Sequence, residues 1–232
     1  NSELAIAWFE KTSGGYKVVL ETGAVAGDDL SPQRFSLGMG SPGRNLSVAA
    51  TSDRVYVAWF DGSALKLRRF RIGSTSAHTL TSLGTTSLGT VSGGTTPKLG
   101  ADGDRVVVAY TQGADLKVRR STNQGVSFGS ARTVRDLPDA SEVGALATSV
   151  TVKGSKVALG VNDIGGIETL SGTGRGYKST DGGASFSRIT THTGGRVLTT
   201  LVTVGGSARW AEVWDHSLEG DEDPGQARFR RE

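Results

Sequence analysis

An apolar segment recurs along the chain at an almost constant step, and this repeat limits the fold more than any other feature. It occupies residues 4–10 in the first copy, and the later copies begin at residues 55, 106, 157 and 209. The steps between successive copies are 51, 51, 51 and 52 residues. A constant step of this length is typical of proteins that stack one supersecondary unit several times. We therefore expect about five copies of one unit.

Each copy has the same internal plan. An alternating segment such as residues 46–50 comes first, and a short polar turn such as residues 51–53 leads into the recurring apolar segment. A third segment, such as residues 65–69, and a short fourth one, such as residues 131–134, follow. Alternation with a period of two, broken by polar and glycine-rich turns, predicts strands joined by hairpins. The 34 glycines agree with many tight turns.

The predicted fold is all-β: a β-propeller of about five four-stranded antiparallel blades. The predicted blades of this single domain span approximately residues 1–40, 45–84, 97–135, 147–191 and 197–232. Small residues share one position of the repeat, which predicts close packing between blades: Ala7, Ala58, Ala109 and Gly160.

The alignment predicts a propeller that is truncated at both ends. The first copy begins at its second strand, and the last copy ends before its fourth strand. Unpaired sheet edges are usually covered in native proteins. Either residues of a longer chain have been removed, or a partner or another segment of the chain supplies the missing strands.

Two turns after third strands share one pattern. Residues 179–186 read Ser-Thr-Asp-Gly-Gly-Ala-Ser-Phe, and residues 121–128 read Ser-Thr-Asn-Gln-Gly-Val-Ser-Phe. The Asp or Asn can accept hydrogen bonds from the backbone of its own turn, the Gly can adopt a positive φ, and the Phe can fill a gap between blades. We expect structural roles for Ser121, Asn123, Gly125, Phe128, Ser179, Asp181, Gly183 and Phe186.

The pattern resembles the Asp box, or BNR repeat, of sialidase-like propellers, whose motif is S-x-D-x-G-x-x-W/F. The resemblance implies that these turns lie on the face opposite the ligand site. It also implies that an active sialidase would need three arginines, a Tyr–Glu pair and an acid/base Asp. None of the four tyrosines has a convincingly placed Glu, and residues 70–73 lack the Pro of the family's Phe-Arg-Ile-Pro motif. We assign no catalytic residues.

Candidate ligand-binding residues lie on the other face, where loops join second to third strands and fourth strands to the next blade. Acidic residues end four of the second strands, and basic residues lie in long connections such as residues 38–45, 82–98 and 191–196. The candidates are Glu10, Asp61, Asp163, Asp215, Arg44 and Arg196. The alternative is that the acids only begin turns and that the arginines are solvated.

Composition excludes several functions. The chain has no Cys, only three His, and a net charge of +3 that is spread without a basic stripe. We predict no zinc site, no cofactor and no nucleic-acid partner. An oxygen-rich segment could hold calcium at Asp215, Glu219, Asp221 and Asp223, although it does not match the D-x-D-x-D-G calcium loop. The alternative is a solvated acidic loop. The sequence has no run of 18 apolar residues, so it predicts no membrane span.

The predicted function is non-catalytic, lectin-like recognition of a glycan or glycoconjugate by a secreted or cell-surface protein, with the signal peptide not in the chain. One alternative is a glycoside hydrolase of the exo-sialidase type, or a fragment of one. The other is a protein-interaction scaffold, completed by a partner or by a missing chain segment.

Overall fold

The computed structural model describes nine stretches of the chain: residues 2–25, 33–73, 79–91, 95–113, 115–134, 145–163, 173–193, 197–216 and 226–231. Their strands form successive antiparallel sheets. The first sheet contains β1 (Ser2–Thr12), β2 (Gly15–Val25) and β3 (Gln33–Met39), and a 3₁₀ turn, Pro42–Arg44, follows it. The second contains β4 (Leu46–Ala50), β5 (Arg54–Asp61), β6 (Ala64–Ile72) and β7 (Leu80–Thr90).

The later sheets repeat this order. The third contains β8 (Thr95–Asp102), β9 (Arg105–Gln112), β10 (Asp115–Ser121) and β11 (Arg132–Thr133). The fourth contains β12 (Ala145–Lys153), β13 (Lys156–Asp163), β14 (Thr173–Ser179) and β15 (Ser187–Thr193). The fifth contains β16 (Val197–Val204), β17 (Ser207–His216) and β18 (Gln226–Arg231).

The all-β class and the four-stranded antiparallel unit are confirmed. Each four-stranded sheet keeps its strands in chain order, and the first and last sheets have three strands each in the described residues. The first strands β4, β8, β12 and β16 contact one another in succession. Within the described ranges, no comparable contact joins the fifth sheet to the first. The described residues therefore show successive packed sheets, and they do not confirm a closed five-bladed ring.

Strand β5 is buried on both faces because a sheet packs against each side of it. Trp59, 1% exposed, lies in a core shared with Val18 and Leu20 of the first sheet. The next residue, Phe60, lies in a core shared with Tyr110 of the third sheet. Successive strand residues point to opposite faces, so one apolar run supplies two cores. This explains why the recurring segment is almost continuously apolar.

The small position of the repeat allows close packing, as predicted. Ala58 and Ala109 are fully buried. A Cβ on Gly160 would lie 2.6 Å from the Ser149 Oγ and 3.0 Å from the Thr199 backbone nitrogen of the fifth sheet. A larger side chain would therefore separate the fourth and fifth sheets.

Hairpin register corrects the last step of the repeat. The turn before β13 pairs Lys153 with Lys156, and the turn before β17 pairs Val204 with Ser207. Corresponding residues are thus 51 apart, and the sequence alignment with a step of 52 is wrong by one residue. A slip of one residue exchanges the two faces of a strand.

The corrected register changes which residues are equivalent in β17. Ala211, which is 1% exposed, continues the small position. Glu212 instead continues the position of Trp59 and Tyr110, which faces the preceding sheet. Asp215 lies one residue beyond the position of Asp61 and Asp163, which Trp214 occupies.

Part of the predicted loop 82–98 is strand. Strand β7 pairs with β6 along residues 80–90, with register shifts opposite Ala64/Lys66 and Arg69/Phe70. Gly84 and Gly89 have φ values of 98° and 97°. These two glycines therefore permit irregular pairing within the strand. His192, which was also predicted in a loop, lies in β15.

Trp59→Ala is expected to lower the free energy of unfolding by about 3–5 kcal/mol, because it empties a buried core site. It also removes the hydrogen bond of 2.9 Å from Trp59 Nε1 to the Met39 carbonyl. Trp8→Ala is the matched control, since Trp8 has the same repeat position but is half-buried. We expect a loss of about 1–2 kcal/mol there. Urea unfolding measures both values, and equal losses would contradict the two-sided burial of β5.

Candidate functional site

Two of the predicted acids form ion pairs with a cation of their own sheet. Glu10 of β1 accepts a hydrogen bond from Arg34 of β3, and Asp61 of β5 accepts one from Lys66 of β6. The side chains of Glu10 and Asp61 are 41% and 35% exposed. Each pair therefore presents both signs of charge, with donors and acceptors, to solvent.

An aromatic ring adjoins the first pair. The Arg34 Cζ atom lies 5.5 Å from the Trp8 ring centroid, so the guanidinium bridges this half-buried ring and the Glu10 carboxylate. Ile6, on the same face of β1, is 51% exposed. This face combines apolar surface with charge.

The turn that carries Arg44 is bonded to the hairpin that follows Asp61. The Ser41 backbone nitrogen donates to the Phe60 carbonyl at 2.8 Å, and the Gly62 nitrogen donates to Ser41 Oγ at 3.0 Å. These bonds hold the 3₁₀ turn on the hairpin that follows Asp61. The Arg44 Cζ atom lies 5.5 Å from the Phe60 ring centroid. Its buried Nη1 has no hydrogen-bond partner among the described residues. We call this region the sheet 1–2 junction.

The side chains of the remaining candidates lie outside the described residues. Asp163 ends β13 and Asp215 lies in β17, but their side chains lie outside the described residues. Arg196 also lies outside them, as do Glu219, Asp221 and Asp223 of the suggested calcium segment. The described side chains include no group of three or more His, Asp or Glu residues that could hold a metal. No helix in the described ranges is long and apolar enough to cross a membrane.

Sequence reasoning missed both cations. Lys66 was detectable, because β6 pairs it with Trp59 and so places it diagonally from Asp61. Arg34 was not detectable, because it reaches Glu10 from the third strand of its sheet, 24 residues away in sequence. Cross-strand geometry, not local spacing, brings such residues together.

The two similar turns have the same hydrogen-bond network around a buried serine. Ser121 Oγ accepts bonds from the backbone nitrogens of Asn123 and Gly125, at 3.2 and 2.9 Å, and donates to Asn123 Oδ1 at 2.8 Å. Ser179 Oγ accepts from Asp181 and Gly183 at 3.3 and 2.8 Å. It donates to Asp181 Oδ1 at 2.7 Å.

Both turns contact the preceding sheet. Phe128 packs on the core between the second and third sheets, and Phe186 packs on the core between the third and fourth. Arg132 of the third sheet donates to the Ala184 carbonyl at 3.0 Å. The Gly182 nitrogen donates to the Ser155 carbonyl of the β12–β13 hairpin at 2.7 Å. The turns therefore lie at the rim of these hairpins, opposite the rim where β5 ends.

Hydrogen bonding controls the ionisation of Asp181. Partial desolvation acts to raise its pKa, but bonds from Ser185, Ser179 and the Ala184 nitrogen together lower the pKa far below its ordinary value. Three of these bonds come from the Ala184 nitrogen, the Ser185 nitrogen and Ser185 Oγ, at 2.9, 2.9 and 2.6 Å. The charged form is therefore part of the folded turn.

Comparison with solved structures shows what the fold is similar to. The chain aligns over 93% of its length with a sialidase from Trypanosoma rangeli bound to the inhibitor DANA, at a TM-score of 0.54 and 10% identity. It aligns over 97% of its length with a mutant of NanB sialidase from Streptococcus pneumoniae, at a TM-score of 0.52 and 9% identity. It aligns over 97% of its length with an α-L-arabinofuranosidase from Fusarium graminearum bound to an iminosugar inhibitor, at a TM-score of 0.52 and 11% identity.

These similarities concern the fold alone. The chain spans 42% and 40% of the two sialidase chains and 77% of the arabinofuranosidase chain. No protein-family model matches the sequence, and no curated protein matches it. The described sheets thus have the fold of part of a sialidase, and activity does not follow from fold.

Asp181→Asn is expected to keep the turn, because Asn123 also bonds the serine two residues before it and the serine four residues after it. It is also expected to reduce the acid sensitivity of folding. A carboxylate whose pKa is lowered by folding stabilises above its unfolded pKa of about 4, and this stability is lost as the pH falls below that value. We expect the wild type to lose about 0.5–1 kcal/mol more than Asp181→Asn between about pH 5 and pH 3, a small value because the side chain is exposed. Urea unfolding at each pH measures the difference.

Asn123→Asp is the matched reverse substitution and should add acid sensitivity of the same sign. Parallel pH profiles for the wild type and Asp181→Asn would show that the Asp181 charge does not stabilise the turn.

Proposed function

We propose that the chain recognises glycans without catalysis, and that the sheet 1–2 junction contributes to the ligand site. The observation that carries this proposal is the half-exposed ion pair of Asp61 and Lys66, next to the turn that carries Arg44. The sialidase-like fold supports a sugar-related role at the level of architecture. Glu10, with Arg34 and the Trp8 ring, extends the site on the first sheet.

The chemistry of these groups suits a neutral or acidic sugar. Carboxylates accept hydrogen bonds from hydroxyl groups, while arginine and lysine donate to hydroxyl, carboxylate or sulfate oxygens. A half-buried indole offers an apolar surface to the C–H groups of a sugar ring. Ligand sites commonly combine such an apolar surface with a few placed polar groups.

The same ion pairs favour binding over hydrolysis. A glycosidase needs two carboxyl groups flanking the bond, and one of them must donate a proton to the leaving oxygen. Glu10 and Asp61 each accept a hydrogen bond from a cation instead. The hydrolase alternative therefore depends on acids other than these two.

In this proposal the two turns are Asp boxes that fasten each sheet to the preceding one at the opposite rim. The sheet 1–2 junction then remains accessible to a ligand. Acids and bases of the later loops, including Asp163, Asp215 and Arg196, complete the site, and the protein acts at the cell surface or in the secreted fraction.

A glycan array with the whole chain tests the proposal. The wild type should retain at least one glycan class, and Arg44→Gln should bind that class about tenfold more weakly, since it loses a charged donor. Arg71→Gln is the matched control, because Arg71 is an exposed arginine at the far end of β6. Equal binding by Arg44→Gln and the wild type would refute the role of the junction.

The array separates the alternatives when it is combined with fluorogenic sialosides and arabinosides. Release of the fluorophore by the wild type would favour the glycoside hydrolase. If the wild type neither retains a glycan nor releases the fluorophore, the result would favour the protein-interaction scaffold.

A further inference from the structure

The sheets pack on one another in a constant direction. Val57 and Trp59 of β5 lie in a core shared with the first sheet, and Tyr110 of β9 lies in a core shared with the second. Leu159 of β13 lies in a core shared with the third. We call the side of a second strand that faces the preceding sheet the leading face of its sheet, and the opposite side the trailing face. Each of these junctions therefore joins a trailing face to the leading face of the next sheet.

The leading face of the first sheet is uncovered in the described residues. Ala7 and Phe9 pack on the core shared with the second sheet, so alternation along β1 places Ile6 and Trp8 on the leading face. The step of 51 residues makes Ile6 equivalent to Val57. Ile6 is 51% exposed, whereas Val57 is fully buried. The first sheet thus presents to solvent a face that the second sheet buries.

The trailing face of the fifth sheet is uncovered in the same way. Thr199 and Glu212 face the fourth sheet, where a Cβ on Gly176 would lie 3.0 Å from Thr199 Oγ1 and would overlap the Glu212 carboxylate. Alternation along β16 therefore places Leu198 and Val204 on the trailing face. Their exposed fractions are 51% and 38%, and no sheet among the described ranges packs on them.

Exposed apolar side chains are concentrated on these two end faces. In the part of the chain that the structure describes, the exposed large apolar residues are Ile6, Met39, Val126, Leu198 and Val204. Three of these five belong to the end faces, and the other two lie at the end of β3 and in a turn. Single exposed apolar residues are normal on a protein surface, but apolar residues gathered on one face mark an interaction site.

Charge favours contact between the two different end faces over contact between two trailing faces. Arg209 is exposed and is the register partner of Val202, which places it on the trailing face with Leu198. Two trailing faces in contact would bring Arg209 against its own copy, and like charges disfavour association. The leading face of the first sheet carries charges of both signs: Glu10, Glu21, Lys17 and Arg34. Its carboxylates can accept bonds from an arginine.

We propose that the chain self-associates head to tail, with the trailing face of the fifth sheet of one copy packed on the leading face of the first sheet of a second copy. This contact continues the junction that already joins the sheets within one copy. It is heterologous, because two different surfaces meet, so copies add in one direction. The inference does not depend on glycan binding, but a second copy and a sugar compete for the Trp8 ring.

Sedimentation velocity of the whole chain, from about 1 μM to about 1 mM, tests this proposal. The weight-average mass of the wild type should rise with concentration to at least about twice the mass of one chain. Ile6→Lys and Leu198→Lys should each associate at least about tenfold more weakly, because each would bury an ammonium group without a partner. Val126→Lys is the matched control, since Val126 is 55% exposed in a turn away from both end faces, and it should associate like the wild type.

A mixture of the two variants tests the direction of the contact. Ile6→Lys keeps an intact trailing face and Leu198→Lys keeps an intact leading face, so the equimolar mixture should form a complex of two chains and no larger species. Both residues are exposed, so each variant should unfold in urea like the wild type. Val204→Lys replaces Leu198→Lys if the latter does not fold.

A wild type that stays monomeric up to the highest concentration would overturn the proposal and would leave the end faces to a different protein or to a further chain segment. Association that survives in Ile6→Lys alone would also overturn it, because two trailing faces would then be in contact. Survival in Leu198→Lys alone would do the same through two leading faces. Failure of the mixture to form a two-chain complex would contradict the head-to-tail contact. Loss of glycan binding without a change in association would refute only the proposed function.

Discussion

Face-to-face burial of the second strands is the constraint on which the rest of the structure depends. Strands β5 and β9 are each apolar on both faces. Each of them is therefore stable only when a neighbouring sheet covers both of its faces. The small residues at Ala58 and Ala109 permit this close approach. The repeat therefore specifies a stack, and each sheet depends on its neighbours for its core.

This stack places the two turns and the proposed binding residues at opposite rims. The turns at Ser121 and Ser179 bond within themselves and pack against the preceding sheet at one rim. At the other rim, the bonds of Ser41 hold Arg44 beside the Asp61 hairpin. Rigid strands thus position the polar groups of the proposed binding rim, which is the general advantage of loops on a fixed scaffold.

The sequence alone predicted the all-β class and the four-stranded antiparallel unit, because these follow from local alternation and turn chemistry. The sequence-based prediction failed where the pairing register between strands decides which face a side chain occupies. A step of 52 aligned Asp215 with Asp163, whereas the hairpin pairing Val204 with Ser207 shifts every β17 side chain to the other face. The Arg34 ion pair and the environment of Glu212 likewise depend on contacts between strands that are distant in sequence.

Nuclear Overhauser contacts at β17 test the stacking register most directly. We expect the Glu212 side-chain protons to contact the Thr190 methyl group, because Glu212 faces the fourth sheet. Ala211 should contact no group of the fourth sheet's third and fourth strands, since it points to the other face. A contact between the Ala211 methyl and Thr190, with none from Glu212, would restore the 52-residue step and contradict the constant repeat on which the account depends.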